Sequence, residues 1–563
     1  MPKKSPITTT SADNRADKMV QTEAGAVIGR SLKRGQLTFW PGIPYAAPPT
    51  GENRWRAPQP PLPWTEPMAC KKPGPIAHQR RAMATEFTER LLKGMGLGSL
   101  KTRAMLELIK RLPVTESEDC LTLNITAPAE AKDLPVMVWI HGGDHTDGSG
   151  SDPLYLGTAI PERDCVLVTI NYRLGMFGFL AHPDLAADAG GVSGNWGLLD
   201  QIRSLEWIRD NIAGFGGDPG RVTIFGESAG GMAVLNLMTS PRARGLFHRA
   251  IAQSPSDGGR GLRLREPFLE FMSGEEAGSL FADPAGTGVG KIETMRTLTA
   301  ETLMKVYRDR PDLGRHFYPV VDGDILPMTP MSAFRHDAVA PVPLMIGYNA
   351  DEGSVLAPMT NPAGLEFPPG ATTPNSAELR RLFEVSHGSA DRVDQLFEAY
   401  PGLDVAGATA CEAYCRDHGF GSHVDYAARH HAANGNPTYR YFFTARPPSP
   451  KQTIGAFHAA EIPFVFDTAI PLTPKADNHD RLATHMGDRW VSFATDGVPT
   501  PPGRDLWPTY DADAPQHMVF DLDVSGVRPC ADEPGLALLR DRFDYLDELS
   551  AAPSTATSAT DPS

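Results

Sequence analysis

At 563 residues the chain can hold one large domain or several small ones, and 41% apolar with 21% charged residues is ordinary for a globular protein. The 68 acidic residues outweigh 53 basic ones for a formal net charge of −15, which excludes the cationic footprint of a non-specific nucleic-acid binder. No apolar run approaches the ~18 residues that a membrane span needs.

Residues 1–19 are polar, with the lysine pair Lys3 and Lys4 near the start and no apolar core behind it. They read as a flexible N-terminus and not as a secretory signal. The expected location is therefore cytoplasmic, or secreted or periplasmic if a signal has been removed. The segment Lys71–Asp119, between Cys70 and Cys120, carries amphipathic patterns near Thr85–Lys93 and Ser99–Leu112. Structured insertions of this length often cover an active site.

Downstream, short β-branched runs alternate with helical patterns. Leu134–Ile140, Cys165–Asn171, Val222–Phe225, Val342–Gly347 and Tyr439–Phe443 read as buried strands. Between them, Leu199, Ile202, Leu205, Ile208 and Ile212 mark one apolar helix face. The sequence predicts a single α/β domain over residues 20–548, with a mostly parallel sheet flanked by helices and residues 71–119 as a lid-like insertion. Residues 551–563 are small and polar, and residues 549–563 read as a disordered tail. Six cysteines show no CxxC or metal-ligand spacing, so neither a metal nor a cofactor is expected. Cys411 and Cys415 fall on one helix face and read as packing residues.

The strongest local signal is Gly226-Glu227-Ser228-Ala229-Gly230, between a strand and the helix-compatible run Gly231–Met238. That context fits a nucleophile elbow: the glycines allow a sharp turn, and the serine hydroxyl projects above the sheet at a helix N-terminus. Such a serine needs a base, a third group that orients the base, and backbone donors for an oxyanion. His141-Gly142-Gly143-Asp144, directly after the strand ending at Ile140, is the candidate donor loop. Among sixteen histidines, spacing alone does not choose the base.

Longer motifs do. GIPYAAPPTGENRWRAPQP at Gly42–Pro60, SEDCLTLNI at Ser117–Ile125, NYRLGMFGFL at Asn171–Leu180 and the stretch Gly194–Gly231 resemble the type-B carboxylesterase family, and the likeness runs from Gly25 to Asp496. The resemblance implies an α/β-hydrolase fold and ester hydrolysis. Ser228 is then the nucleophile. Glu352, in GYNADEGS, is the acid. His458, in an H-x-x-E-I-x-F-V-F pattern, is the base. It also implies oxyanion donors at Gly143, Asp144 and Ala229, and places Glu227 and Glu461 beside the reacting groups rather than in the chemistry. Asp144 stands where relatives carry glycine or alanine, and His145 where they carry an aromatic, so a carboxylate sits close to a developing negative charge.

The resemblance further implies a Cys70–Cys120 disulfide, and with it an oxidising compartment. The loop between these cysteines lacks the tryptophan that choline-specific relatives use there as a cation–π platform, so the resemblance speaks against choline esters as substrates. It holds ten Lys/Arg against six Asp/Glu. Arg260, Arg263 and Arg265 follow the turn at Gln253–Pro255. A cationic mouth would steer anionic esters, polycarboxylate esters of the fumonisin type among them. The expected partner is a small-molecule ester, with no nucleic acid and no membrane span. Two alternatives are a lipase whose insertion opens at an interface and a non-catalytic adhesion or scaffold protein of the same fold. The latter have lost a triad member, and here all three positions are filled.

Overall fold

The computed structural model describes residues 17–111, 114–256, 261–283, 292–359, 376–405, 409–446, 451–468, 478–531 and 533–551. The five predicted strands are all present, as β6 (Leu134–Ile140), β7 (Val166–Ile170), β8 (Gly217–Glu227), β10 (Leu344–Asn349) and β11 (Thr438–Phe443). They join β1 (Lys18–Gln21), β2 (Ala26–Leu32), β3 (Leu37–Pro44), β4 (Met68–Ala69), β5 (Thr122–Pro128), β9 (Arg249–Gln253), β12 (Gln516–Phe520) and β13 (Gly526–Pro529). The described strands form one sheet of order β1-β2-β3-β5-β7-β6-β8-β9-β10-β11-β12-β13, with β4 beside β2. From β7 to β12 every neighbouring pair is parallel; the pairs beyond are antiparallel, except that β4 lies parallel to β2.

The strand period of two explains why the central runs are apolar throughout. In β6, Val136, Val138 and Ile140 enter a core shared with the helices Trp196–Asn211 and Ala229–Thr239. Met137 and Trp139 enter a second core, with Met486 and Trp490 of the helix His479–Asp496. Each face is sealed by helices, so a polar residue anywhere in β6 would lie in a core. Truncating the fully buried Trp139 to alanine would cost roughly 3–5 kcal/mol.

The insertion contains the two expected helices, α1 (Ala82–Gly94) and α2 (Ser99–Lys110). Leu112, the expected end of the second, lies outside the described residues. At the N-terminus, Lys18 and Met19 are not flexible but pair with Gly29 and Ile28 in β1. At the other end the final helix, Pro534–Ala551, extends into the segment expected to be disordered.

The Cys70–Cys120 disulfide implied by the resemblance is not formed, and both thiols are free and buried. The Cys70 Sγ faces the Met68 carbonyl at 3.9 Å. Burial pushes its thiol up to about 11 and that of Cys120 further still, which disfavours the thiolate needed for exchange. The base of the insertion is held non-covalently instead. Arg54 forks onto both oxygens of Glu118 at 2.6 and 2.7 Å, and Asn171 donates to the Pro75 carbonyl at 3.2 Å.

Candidate active site

β8 ends at Glu227 and a helix begins at Ala229, leaving Ser228 as the single residue of the turn, with φ 57° and ψ −123°. This backbone is strained for a residue with a Cβ and persists only where its surroundings enforce it. They do so here. The Ser228 N–H donates to the Gln253 carbonyl at 2.9 Å, which pins the elbow to the end of β9. A Cβ on Gly226 would lie 2.6 Å from the Ile140 carbonyl oxygen, and one on Gly230 would strike the same atom. Glycine at both flanks is therefore a packing requirement, and β6 is the wall that imposes it.

The loop after β6 abuts this elbow, since a Cβ on Gly142 would lie 3.2 Å from the Ser228 Cβ. Gly143, Asp144 and His145 all have positive φ, of 103°, 54° and 54°. The Gly143 carbonyl is tied into its own turn by the N–H groups of Thr146 and Asp147, at 3.0 and 2.9 Å. The Asp144 carboxylate is turned toward Tyr318, whose hydroxyl donates to it. His145 is buried and packs as the aromatic that it replaces, 5.2 Å from the Phe179 ring and 6.0 Å from Tyr318.

Glu352 follows β10 and is fully buried. Its Oε1 accepts from the Ser254 hydroxyl at 2.6 Å and the Asn349 N–H at 2.7 Å, and its Oε2 lies 2.6 Å from the His458 Nδ1. Asp351 brings the two segments together. Its N–H donates to the Ala456 carbonyl at 3.0 Å, and its carboxylate accepts from the Ala456 N–H at 2.7 Å. The acid is thus held from three sides, and the imidazole has one orientation relative to it.

The other ring nitrogen, Nε2, lies 3.2 Å from Oε1 of Glu227. Glu227 is closer to the reacting centre than its expected place beside the chemistry suggests. Burial raises its carboxyl well above the usual range, with Glu461 and Glu352 adding to the effect and His458 opposing it. Burial alone would depress His458, but the carboxylates of Glu227 and Glu352 outweigh it and raise the ring. Glu461 is also buried and raised, and it accepts from Gln253 at 2.9 Å and Asn349 at 2.7 Å. Gln253, Ser254 and Asn349 are the positioning groups that sequence reasoning missed. In the sequence the turn at Gln253–Pro255 serves only as the landmark before Arg260, Arg263 and Arg265.

Ser228, His458, Gly143, Asp144 and Ala229 all line one cavity of about 450 Å³. Phe87 and Leu91 of α1 form part of its wall, and the Phe87 ring stands edge-on to His458 at 6.3 Å. The insertion does lie at the site, as expected. Its cations do not. Arg90 pairs with Glu86 at 2.8 Å, Lys93 with Glu89 at 2.6 Å, and Arg81 with Glu116. Arg263 lies over the Phe268 ring and 3.5 Å from Glu266, Arg265 lies 3.5 Å from Glu275, and Arg260 is outside the described residues. Among the described residues no lysine or arginine lines the cavity, whereas Asp144, Asp147, Asp152 and Glu227 do. The expected cationic mouth is therefore not formed by these side chains, which are occupied by neighbouring acids and rings.

A mostly parallel sheet flanked by helices, with a strained serine at a strand-to-helix turn, defines an α/β-hydrolase. The sequence profile of the carboxylesterase family matches residues 16–533, and the chain belongs to that family. It is 35% identical over 510 residues to the fumonisin B1 esterase of Sphingopyxis macrogoltabida, covering 87% of this chain and 84% of that one. It is 32% identical over 532 residues to the para-nitrobenzyl esterase of Bacillus subtilis (strain 168), covering 90% and 95%. Among solved structures, a PNB esterase superposes with a TM-score of 0.75 at 30% identity, over 93% of this chain and all of that one. A carboxylesterase of Geobacillus stearothermophilus does so with 0.74 at 31% identity, over 92% and 99%. The protein is a carboxylic-ester hydrolase.

Proposed function

We propose that this esterase works through a Ser228–His458–Glu352 triad and an acyl-enzyme intermediate. The observation that carries the reading is the 2.6 Å contact between a fully buried Glu352 and His458, on the cavity that Ser228 also lines. His458 takes the proton from the Ser228 hydroxyl as its oxygen attacks the ester carbonyl. The N–H groups of Gly143, Asp144 and Ala229 receive the oxyanion, and the helix starting at Ala229 adds its positive end. His458 then passes the proton to the departing alkoxide. Water, deprotonated by the same ring, cleaves the acyl-enzyme and restores the free serine.

The cavity favours uncharged esters, because its described wall combines Phe87, Leu91, Phe420 and Phe457 with carboxylates and carries no Lys or Arg. Polycarboxylate esters are the second reading, supported by the likeness to a fumonisin B1 esterase. A lipase-like use of the insertion draws support from α1 at the cavity wall. The test is kcat/KM for matched esters that differ in one free or methylated carboxylate, below and above the solubility limit. Faster cleavage of the methylated ester supports the first reading. A charged-ester preference that shrinks with salt supports the second. A rate jump at the solubility limit supports the lipase. No hydrolysis of any ester refutes all three.

A further inference from the structure

We infer that the outer face of α2 docks on the surface of an anionic lipid assembly. Leu100, Ala104 and Leu108 recur every fourth residue and form one stripe along the helix. Leu100 is 90% exposed and Leu108 57% exposed, and Ala104 is exposed as well. Thr102 is the one buried residue described in α2, and it lies roughly opposite the stripe at ~100° per residue. The helix therefore rests on the protein by one edge and presents Leu100 and Leu108 outward.

Cations surround the stripe. Lys101, Arg103, Lys110 and the C-cap residue Arg111 are all exposed, and the helix's one acid, Glu107, lies 3.0 Å from Lys110. This patch sits on a chain whose net charge is −15, so it reverses the sign of the molecule locally. Leucines on an outward face bracketed by Lys and Arg are the signature of a helix that lies in the headgroup plane of an anionic surface. The same charges oppose pairing with a second copy, because a two-fold contact would set one cationic patch against another. Nucleic acid would use the cations and leave the leucines in water.

The position of α2 gives such docking a use. A short link, residues 95–98, joins it to α1, which carries Phe87 and Leu91 to the cavity wall. Seating α2 would bring the cavity to the layer in which apolar esters concentrate. The inference itself concerns binding and is read without turnover, so it stands apart from the proposed chemistry.

The test is co-sedimentation of the full chain with vesicles of phosphatidylcholine mixed with phosphatidylglycerol, and with pure phosphatidylcholine, at low and high salt. Binding to the mixed vesicles alone, weakened by salt, is expected. A Lys101→Gln/Arg103→Gln variant should bind roughly 25-fold more weakly, at about a factor of five per cation. Leu100→Asp/Leu108→Asp should lose binding, and both variants should hydrolyse a soluble ester as the parent does. Equal binding to both vesicles, no binding, or variants that bind as the parent does would overturn the inference. So would a dimer in sedimentation that Leu100→Asp dissolves, because the stripe would then serve a second copy.

Discussion

Tyr318→Phe isolates the feature that most distinguishes the loop proposed to bind the oxyanion. The tyrosine hydroxyl donates to the Asp144 carboxylate, beside the backbone donors proposed for the oxyanion. Removing the hydroxyl keeps the ring against His145 and takes that one donor from the carboxylate. A full negative charge ~5 Å from the oxyanion, at an effective dielectric of ~20, opposes it by about 3 kcal/mol. At ~1.4 kcal/mol per decade the ceiling is a drop of roughly 100- to 200-fold in kcat. The lost hydrogen bond itself costs about 1 kcal/mol of stability, so the variant stays folded. Single-turnover acylation of a 4-nitrophenyl ester reads the effect directly. Asp144→Ala should retain parental acylation, and Tyr318→Phe/Asp144→Ala should recover most of what Tyr318→Phe loses, because the offending charge is gone. A double variant as slow as Tyr318→Phe, or a Tyr318→Phe variant with undiminished acylation, would refute the electrostatic argument.

Three further outcomes follow from the geometry. His458 must be neutral to act as base, and the carboxylates of Glu227 and Glu352 raise its pKa, so kcat/KM should climb with pH through a limb above the ordinary 6.5. Glu227→Gln removes one of those charges and should move that limb to lower pH, as read from a kcat/KM profile; an unmoved limb would mean that Glu227 does not act on the ring. Without reductant, denatured protein should titrate six thiols, with Cys70 and Cys120 unreactive until unfolding, and a count of four would mean that a disulfide had formed. Glu352→Gln should slow acylation less than His458→Ala, since it spoils orientation without removing the base, and equal losses would contradict the assigned roles.

Much of the sheet was legible because its central strands are buried on both faces and leave unbroken apolar runs such as Leu134–Ile140. The flanking antiparallel strands were not. In β2 buried residues alternate with half-exposed ones, a weak signal over seven residues. The elbow was visible because its glycines are required locally. The groups that hold Glu352 were not, because Ser254 and Asn349 come from separate strand ends that meet only in the folded sheet. The orientation of Asp144 depends on a tyrosine 174 positions away. Counting lysines and arginines also misled at the cavity, because a count does not reveal that Arg90 and Lys93 face the glutamates one helical turn behind them.

The central claim is that Ser228 becomes acylated with His458 as its base, and a mechanism-based label tests it most directly. The enzyme would be treated with a 4-nitrophenyl alkylphosphonate, which leaves a stable adduct on an activated serine, and the labelled peptide mapped by mass spectrometry. The account predicts one adduct, on Ser228, formed with release of one equivalent of nitrophenolate, absent from Ser228→Ala and at least ~10³-fold slower in His458→Ala. An adduct on another residue, or a Ser228→Ala variant that keeps more than about a tenth of the parental turnover, would contradict it.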